Sequence, residues 1–125
     1  MTGARTRGAV YDRVAMRELL EKRSRELPAG TPALLVTEIT RYLAELPGWA
    51  LEGDGRRIAK AYEFKNFHET MEFLNALAWI VHREDHHPDL EVSYKRCKVV
   101  YSTHSVGGVS ENDLICAAKI DALVR

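Results

Sequence analysis

Two cysteines, Cys97 and Cys116, are too few for a disulfide framework, and they fall in a strand-like run and a helical run with no paired spacing. Free thiols in a reducing cytoplasm are the expectation. Charge of one sign is also missing: 18 Lys plus Arg balance 18 Asp plus Glu. That argues against nucleic acid as the main ligand, because backbone binding rests on a clustered basic surface and counterion release. No apolar run approaches the roughly 20 residues of a membrane span. The stretch MTGARTRGAVYDR lacks the uninterrupted apolar core of a signal peptide, so a cytoplasmic protein with no membrane partner is expected. Neither an internal repeat nor a low-complexity tract occurs. What remains is a chain of 125 residues, 46% hydrophobic and 29% charged, which reads as one ordinary domain. A domain near this size buries roughly two thirds of its unfolded surface and needs no disulfide or metal to hold it together.

Pattern then orders the chain. Val10, Val14, Leu19 and Leu20 suggest an amphipathic helix, with Glu18 and Lys22, and Glu21 and Arg25, spaced as surface pairs. It ends before LPAGTP, where Pro28, Gly30 and Pro32 break any periodicity. Thr31 as cap and Pro32 as first helical residue open a second helix, with Leu35, Ile39, Tyr42, Leu43 and Leu46 on one side, that stops at Pro47 and Gly48. GWALEGDGRRIAKAYEF reads as a hairpin turning at Gly53 to Gly55, with Ile58, Tyr62 and Phe64 on one face and Lys60 intruding on it. From Asn66, paired with Glu69 as a cap, the period becomes helical through Phe67, Met71, Leu74, Ala78 and Val81. Phe73, Leu77, Trp79 and Ile80 widen that apolar sector, which predicts packing on a sheet and on another helix or subunit, and puts both Trp49 and Trp79 in the core.

DLEVSYKRCKVVYSTHS returns to alternation, Leu90, Val92 and Tyr94 on one face and Cys97, Val99 and Tyr101 on another. After Gly107 and Gly108, Ser110 opens a last helix carrying Leu114, Ile115, Ala117, Ala118 and Ala122. Two hairpins with helices between and after them imply an α+β fold: a four-stranded antiparallel sheet with helices packed on one face, plus an N-terminal helical extension.

The chemistry concentrates in EDHHPDL. His86 and His87 precede Pro88 at the end of the long helix, where cations suit the helix dipole without any further role. His104, at the end of the fourth strand, shifts the reading, because a helix end and a strand end can meet at one rim of a sheet. Imidazole alone has an unperturbed pKa, about 6.5, that lets it donate and accept protons near neutrality. With no Ser or Cys nucleophile beside them, three imidazoles point to proton transfer and not to covalent catalysis. Asp113 fits a capping box with Ser110, and a carboxylate there can also orient an imidazole. Three histidines and an aspartate make a conceivable zinc set, but structural zinc sites pair their ligands two to four residues apart, so no metal is expected. His68 is read as solvated in a first helical turn, and Gly107 with Gly108 as a turn too short to cradle phosphate.

Taken in order, GWAL, YEFKNFHETMEF, DHHPDLEVSYKRCKVVYSTHSVGGVSENDL and the closing helix resemble the pterin-4a-carbinolamine dehydratase family, also known as the dimerisation cofactor of a homeodomain transcription factor. The resemblance covers residues 31 to 125 and leaves 1 to 30 as an extension. It implies a four-stranded antiparallel sheet with three helices on one face. It also implies the removal of water from 4a-hydroxytetrahydropterin to give quinonoid dihydropterin, which recycles the pterin used by aromatic amino acid hydroxylases. By the same resemblance His86, His87, His104 and Asp113 are catalytic, and His86, His87, Ser102, Thr103 and His104 bind substrate. The pterin is substrate, so no cofactor is implied, and a homodimer or homotetramer is expected. His82 stands four residues before His86, where the family commonly has an acid. Two other readings remain: a non-catalytic dimerisation or assembly subunit, and a pterin-binding role in molybdenum cofactor metabolism.

Overall fold

The computed structural model describes residues 16–124. Residues 16–21 are helical (α1), and Met16 and Leu19 belong to the same buried core as the rest of the chain. Val10 and Val14 lie outside the described residues. After an extended stretch come α2 (Val36–Leu43), β1 (Ala50–Glu52), β2 (Arg57–Glu63), α3 (Phe67–Glu84), β3 (Asp89–Ser93) and β4 (Arg96–Tyr101). A short 3₁₀ turn (His104–Val106) leads to α4 (Glu111–Asp121), and a second such turn spans Ala122–Val124.

The strands form one antiparallel sheet in the order β1-β2-β4-β3. Two hairpins alone would place β2 beside β3. The α3 connection instead carries β3 to the outer edge, so that β4 lies against β2. The β2–β4 register pairs Ile58 with Tyr101, Lys60 with Val99 and Tyr62 with Cys97. Residues directly opposite share a face, and this face is the buried one: Ile58, Cys97, Val99 and Tyr101 are sealed beneath the helices with Ile39, Leu77, Leu114 and Ile120. The intrusion of Lys60 is resolved by Asp121, whose Oδ1 accepts hydrogen bonds from Lys60 Nζ at 2.6 Å, Tyr62 OH at 2.6 Å and Trp49 Nε1 at 3.3 Å. An aliphatic stem buried with its ammonium paired offsets most of the cost of placing a charge there.

Local signals set several boundaries. Asn66 Oδ1 accepts from Glu69 N, and Glu69 Oε1 accepts from Lys65 N, the expected cap on α3. Gly53, Asp54 and Gly55 all take positive φ, which turns β1 into β2 within a few residues.

Four expectations need correction. The second helix starts at Val36, not Pro32, because Thr31 Oγ1 donates to Pro28 O and Leu34 N to Val109 O, which keeps 32–35 extended. It also ends at Leu43, and a turn fills the remaining residues to Gly48. Lys22 and Arg25 lie beyond α1, so Lys22 pairs with Glu111 rather than with Glu18. Trp49 is buried, but Trp79 is 68% exposed on the outer side of α3. Leu90 pairs with Val99 and Val92 with Cys97, so the two sets share one face, although the edge strand stays exposed along its length.

Candidate active site

The long helix ends just before the histidines. Asp85 adopts the left-handed conformation (φ 51°) and terminates α3 at Glu84, so His86 and His87 occupy the link to β3 instead of the last helical turn. The helix-dipole reading therefore falls to His82 and Arg83, which do occupy that turn. This reversal of the chain carries His86 back over the sheet. Tyr101 OH donates to His86 O at 2.9 Å, and the two rings stack at 5.1 Å between centroids with 19° between planes.

Asp113 meets His86 from the opposite side. Ser110 caps α4, its Oγ accepting from Asn112 N, while Asp113 Oδ2 accepts from Ser110 N at 2.8 Å, as the S-x-x-D spacing implies. That leaves Oδ1 for His86 Nε2 at 2.5 Å. Asp113 is fully buried and the His86 side chain is 14% exposed. Thr103 Oγ1 donates to Asp113 Oδ2 at 2.8 Å and lies 2.6 Å from Ser110 Oγ, which then serves as donor to it. Hydroxyls linked in this way polarise one another and hold the carboxylate in one orientation. Nε2 thus carries the proton facing Asp113, and Nδ1 is the ring nitrogen left to accept one. His86 and Thr103 line a cavity of about 440 Å³, within the size range of small-molecule sites.

The structure brings His86, Thr103 and Asp113 into contact. His87 is exposed and lines a separate, mainly apolar groove of about 400 Å³ with His82, Leu74, Val81 and Leu90. His104 and Ser102 are exposed, flanking Thr103 in the chain. His68 is exposed as well. Both cysteines are free and buried. Burial pushes the Cys116 thiol up to about 12, against a smaller opposing effect of its hydrogen bond with Tyr101, so it stays protonated and is a poor nucleophile. Burial likewise pushes the Tyr101 phenol far up, which keeps it a donor to His86. Among the described residues no three His, Cys, Asp or Glu side chains converge as metal ligands.

Two contributors went unnoticed in the sequence: Tyr101, which looked like a strand residue only, and Glu84; Ser110 was read as a helix cap, and its hydroxyl serves Thr103 as well. Glu84 is buried, with Lys119 Nζ at 2.7 Å and the Ser24 amide at 2.7 Å. An acidic residue two positions from His86 inside a widely apolar helix was the available signal.

Comparison with known proteins agrees with this fold. The family model described as pterin 4 alpha carbinolamine dehydratase matches residues 32–123. A Bdellovibrio bacteriovorus protein named for pterin-4-alpha-carbinolamine dehydratase is 56% identical over 110 residues, covering 85% of this chain and 88% of that protein. A Nitrosospira multiformis protein of the same naming is 50% identical over 108 residues, covering 86% and 94%. Among solved structures, a transcriptional coactivator/pterin dehydratase from Brucella melitensis superposes with a TM-score of 0.71 at 31% identity, over 74% of this chain and 99% of that one. A pterin dehydratase-like protein described as a RuBisCO assembly factor shares the fold, with a TM-score of 0.54 at 23% identity over 61% and 88%. Sequence, sheet topology and relatives lead to one assignment: the chain belongs to the pterin-4a-carbinolamine dehydratase family.

Proposed function

We propose that this protein dehydrates 4a-hydroxytetrahydropterin to quinonoid dihydropterin, as a hydro-lyase acting in pterin recycling. The observation that carries the reading is the His86–Asp113 pair, buried on the carboxylate side and open to a cavity on the imidazole side. Elimination breaks the C4a–O bond, sends a proton to the leaving oxygen, and removes a proton from N5, so that water departs and a C4a=N5 double bond forms. Such a reaction calls for proton transfer between positioned groups and for no metal or redox cofactor. His86, held in one tautomer by Asp113, takes the N5 proton through Nδ1. His104 gives the proton to the leaving hydroxyl. His87 holds the pterin and passes protons to solvent, while Ser102 and Thr103 contribute to the substrate-binding wall. His82, beside His87 on the groove, acts as a hydrogen-bond donor.

Replacing His86, His87 and His104 singly by Ala and following dehydration by pterin absorbance tests these assignments. Loss of rate in each is the expected outcome, and undiminished rates in all three would overturn the proposal.

The free, buried thiols suit a cytoplasmic setting, and the product suits reduction for reuse by an aromatic amino acid hydroxylase. Self-association as a dimer or tetramer is the accompanying proposal, motivated by exposed Trp79, Tyr94, Phe67 and Val92. Light scattering at micromolar concentration that found only monomer would refute it.

A further inference from the structure

Residues 22–27 lie outside the stretch matched by the family model, yet they are tied to the elements that carry the site. Asn112, one residue before Asp113 and 6% exposed, grips the backbone of Arg25 in both directions: its Oδ1 accepts from Arg25 N at 3.2 Å and its Nδ2 donates to Arg25 O at 2.7 Å. Glu84, two residues before His86 and 4% exposed, accepts from Ser24 N at 2.7 Å. Lys22 reaches Glu111 at 2.6 Å, and Arg23 donates to Arg83 O at 3.0 Å. Ser24, Arg25, Glu26 and Leu27 form one side of the 440 Å³ cavity whose other side includes His86 and Thr103. Buried side chains pairing with otherwise unmatched backbone groups fix a segment far better than surface ion pairs do.

We infer that residues 24–27, anchored through their own backbone and through Lys22 and Arg23, are a fixed wall of the His86 cavity that selects the substituent on C6 of the pterin. The inference rests on the dehydratase reading. In a reduced pterin C6 is bonded directly to N5, so a ring that presents N5 to His86 directs its C6 substituent into the space around that imidazole. Beside Leu27, the other three wall residues are Ser24, Arg25 and Glu26, and a hydroxyl, a guanidinium and a carboxylate suit a hydroxylated chain better than a purely apolar one. Arg25 is the specificity residue, and Asn112 positions it.

The test compares wild type with R25A and N112A. Binding of two stable 7,8-dihydropterins, one bearing a dihydroxypropyl group at C6 and one a methyl group, is measured by fluorescence titration, together with hydrogen exchange at the Ser24 and Arg25 amides. The expected results are a roughly tenfold fall in the preference for the hydroxylated ligand in R25A, equivalent to one charged hydrogen bond, and faster exchange at both amides in N112A. Should N112A fail to fold, R25A, altered only at an exposed side chain, decides alone. An unchanged preference in R25A, with dehydration intact, would remove the wall and leave the dehydratase. Selective binding with no turnover in wild type would do the reverse, and no binding of either pterin would remove both.

Discussion

The two ends of the site are built differently. On the His86 side, Asp113, Thr103 and Ser110 are buried and hydrogen-bonded to one another, with Ser110 and Asp113 fixed by the α4 cap. On the side of His87 and His104, the imidazoles stand at the surface. A buried network can hold a proton acceptor to within a few tenths of an ångström, whereas an exposed imidazole gains order only from what binds against it. In the proposed mechanism the contrast separates positioning, set by the buried network, from engagement, which substrate completes.

That contrast can be broken at several points. The largest expected effect is on turnover in H86A, a fall of about 10²–10⁴-fold in kcat with the fold retained, measured by absorbance and thermal melting. Next is D113A, which strands Ser110 N and His86 Nε2 and leaves Thr103 Oγ1 with Ser110 Oγ as its remaining strong partner. A stability loss of about 2–4 kcal/mol in denaturant unfolding is expected, with D113N milder. T103V keeps the shape but removes the hydroxyl between Ser110 and Asp113, and about 1–2 kcal/mol is the expected cost by the same measurement. H87A and H104A sharpen the comparison from the other side: stability within about 0.5 kcal/mol of wild type, with turnover still reduced. If either proved strongly destabilising, the division between a built half and an open half would fail.

The smallest effect is a pH dependence at Glu84. Burial raises its carboxyl pKa, but Lys119, the Ser24 amide and Arg23 outweigh that and hold it below the ordinary carboxylate range. A depressed carboxylate contributes stability above its unfolded pKa and loses it as pH falls through the lower folded value. E84Q should therefore melt below wild type at neutral pH, with the gap closing below about pH 4. A gap that widened on acidification would contradict the assignment.

How much of this was legible depended on how local each signal was. The hairpins, the Asn66 cap and the Ser110–Asp113 box are short-range patterns, and all appear as expected. The helix start at Val36 was not legible, because it depends on Leu34 meeting Val109 across the fold. Lys22 and Arg25 suggested helix-surface pairs until partners more than 80 residues away, Glu111 and Asn112, took them. Trp79 looked like core because its helix is apolar around much of its circumference, and apolar periodicity does not distinguish a buried face from one left open. Within the site, the residue types at His86 and Asp113 announced themselves. Their direct contact, the Tyr101 stack and the Asn112 grip depend on register and on the left-handed turn at Asp85.

The most direct measurement is stopped-flow dehydration of chemically generated 4a-hydroxytetrahydropterin by wild type, H86A and D113N at equal concentrations of folded protein. Rapid water loss with wild type, near-background rates with H86A and an intermediate rate with D113N are predicted. Equal rates for wild type and H86A would show that the buried imidazole–carboxylate pair does not drive the reaction.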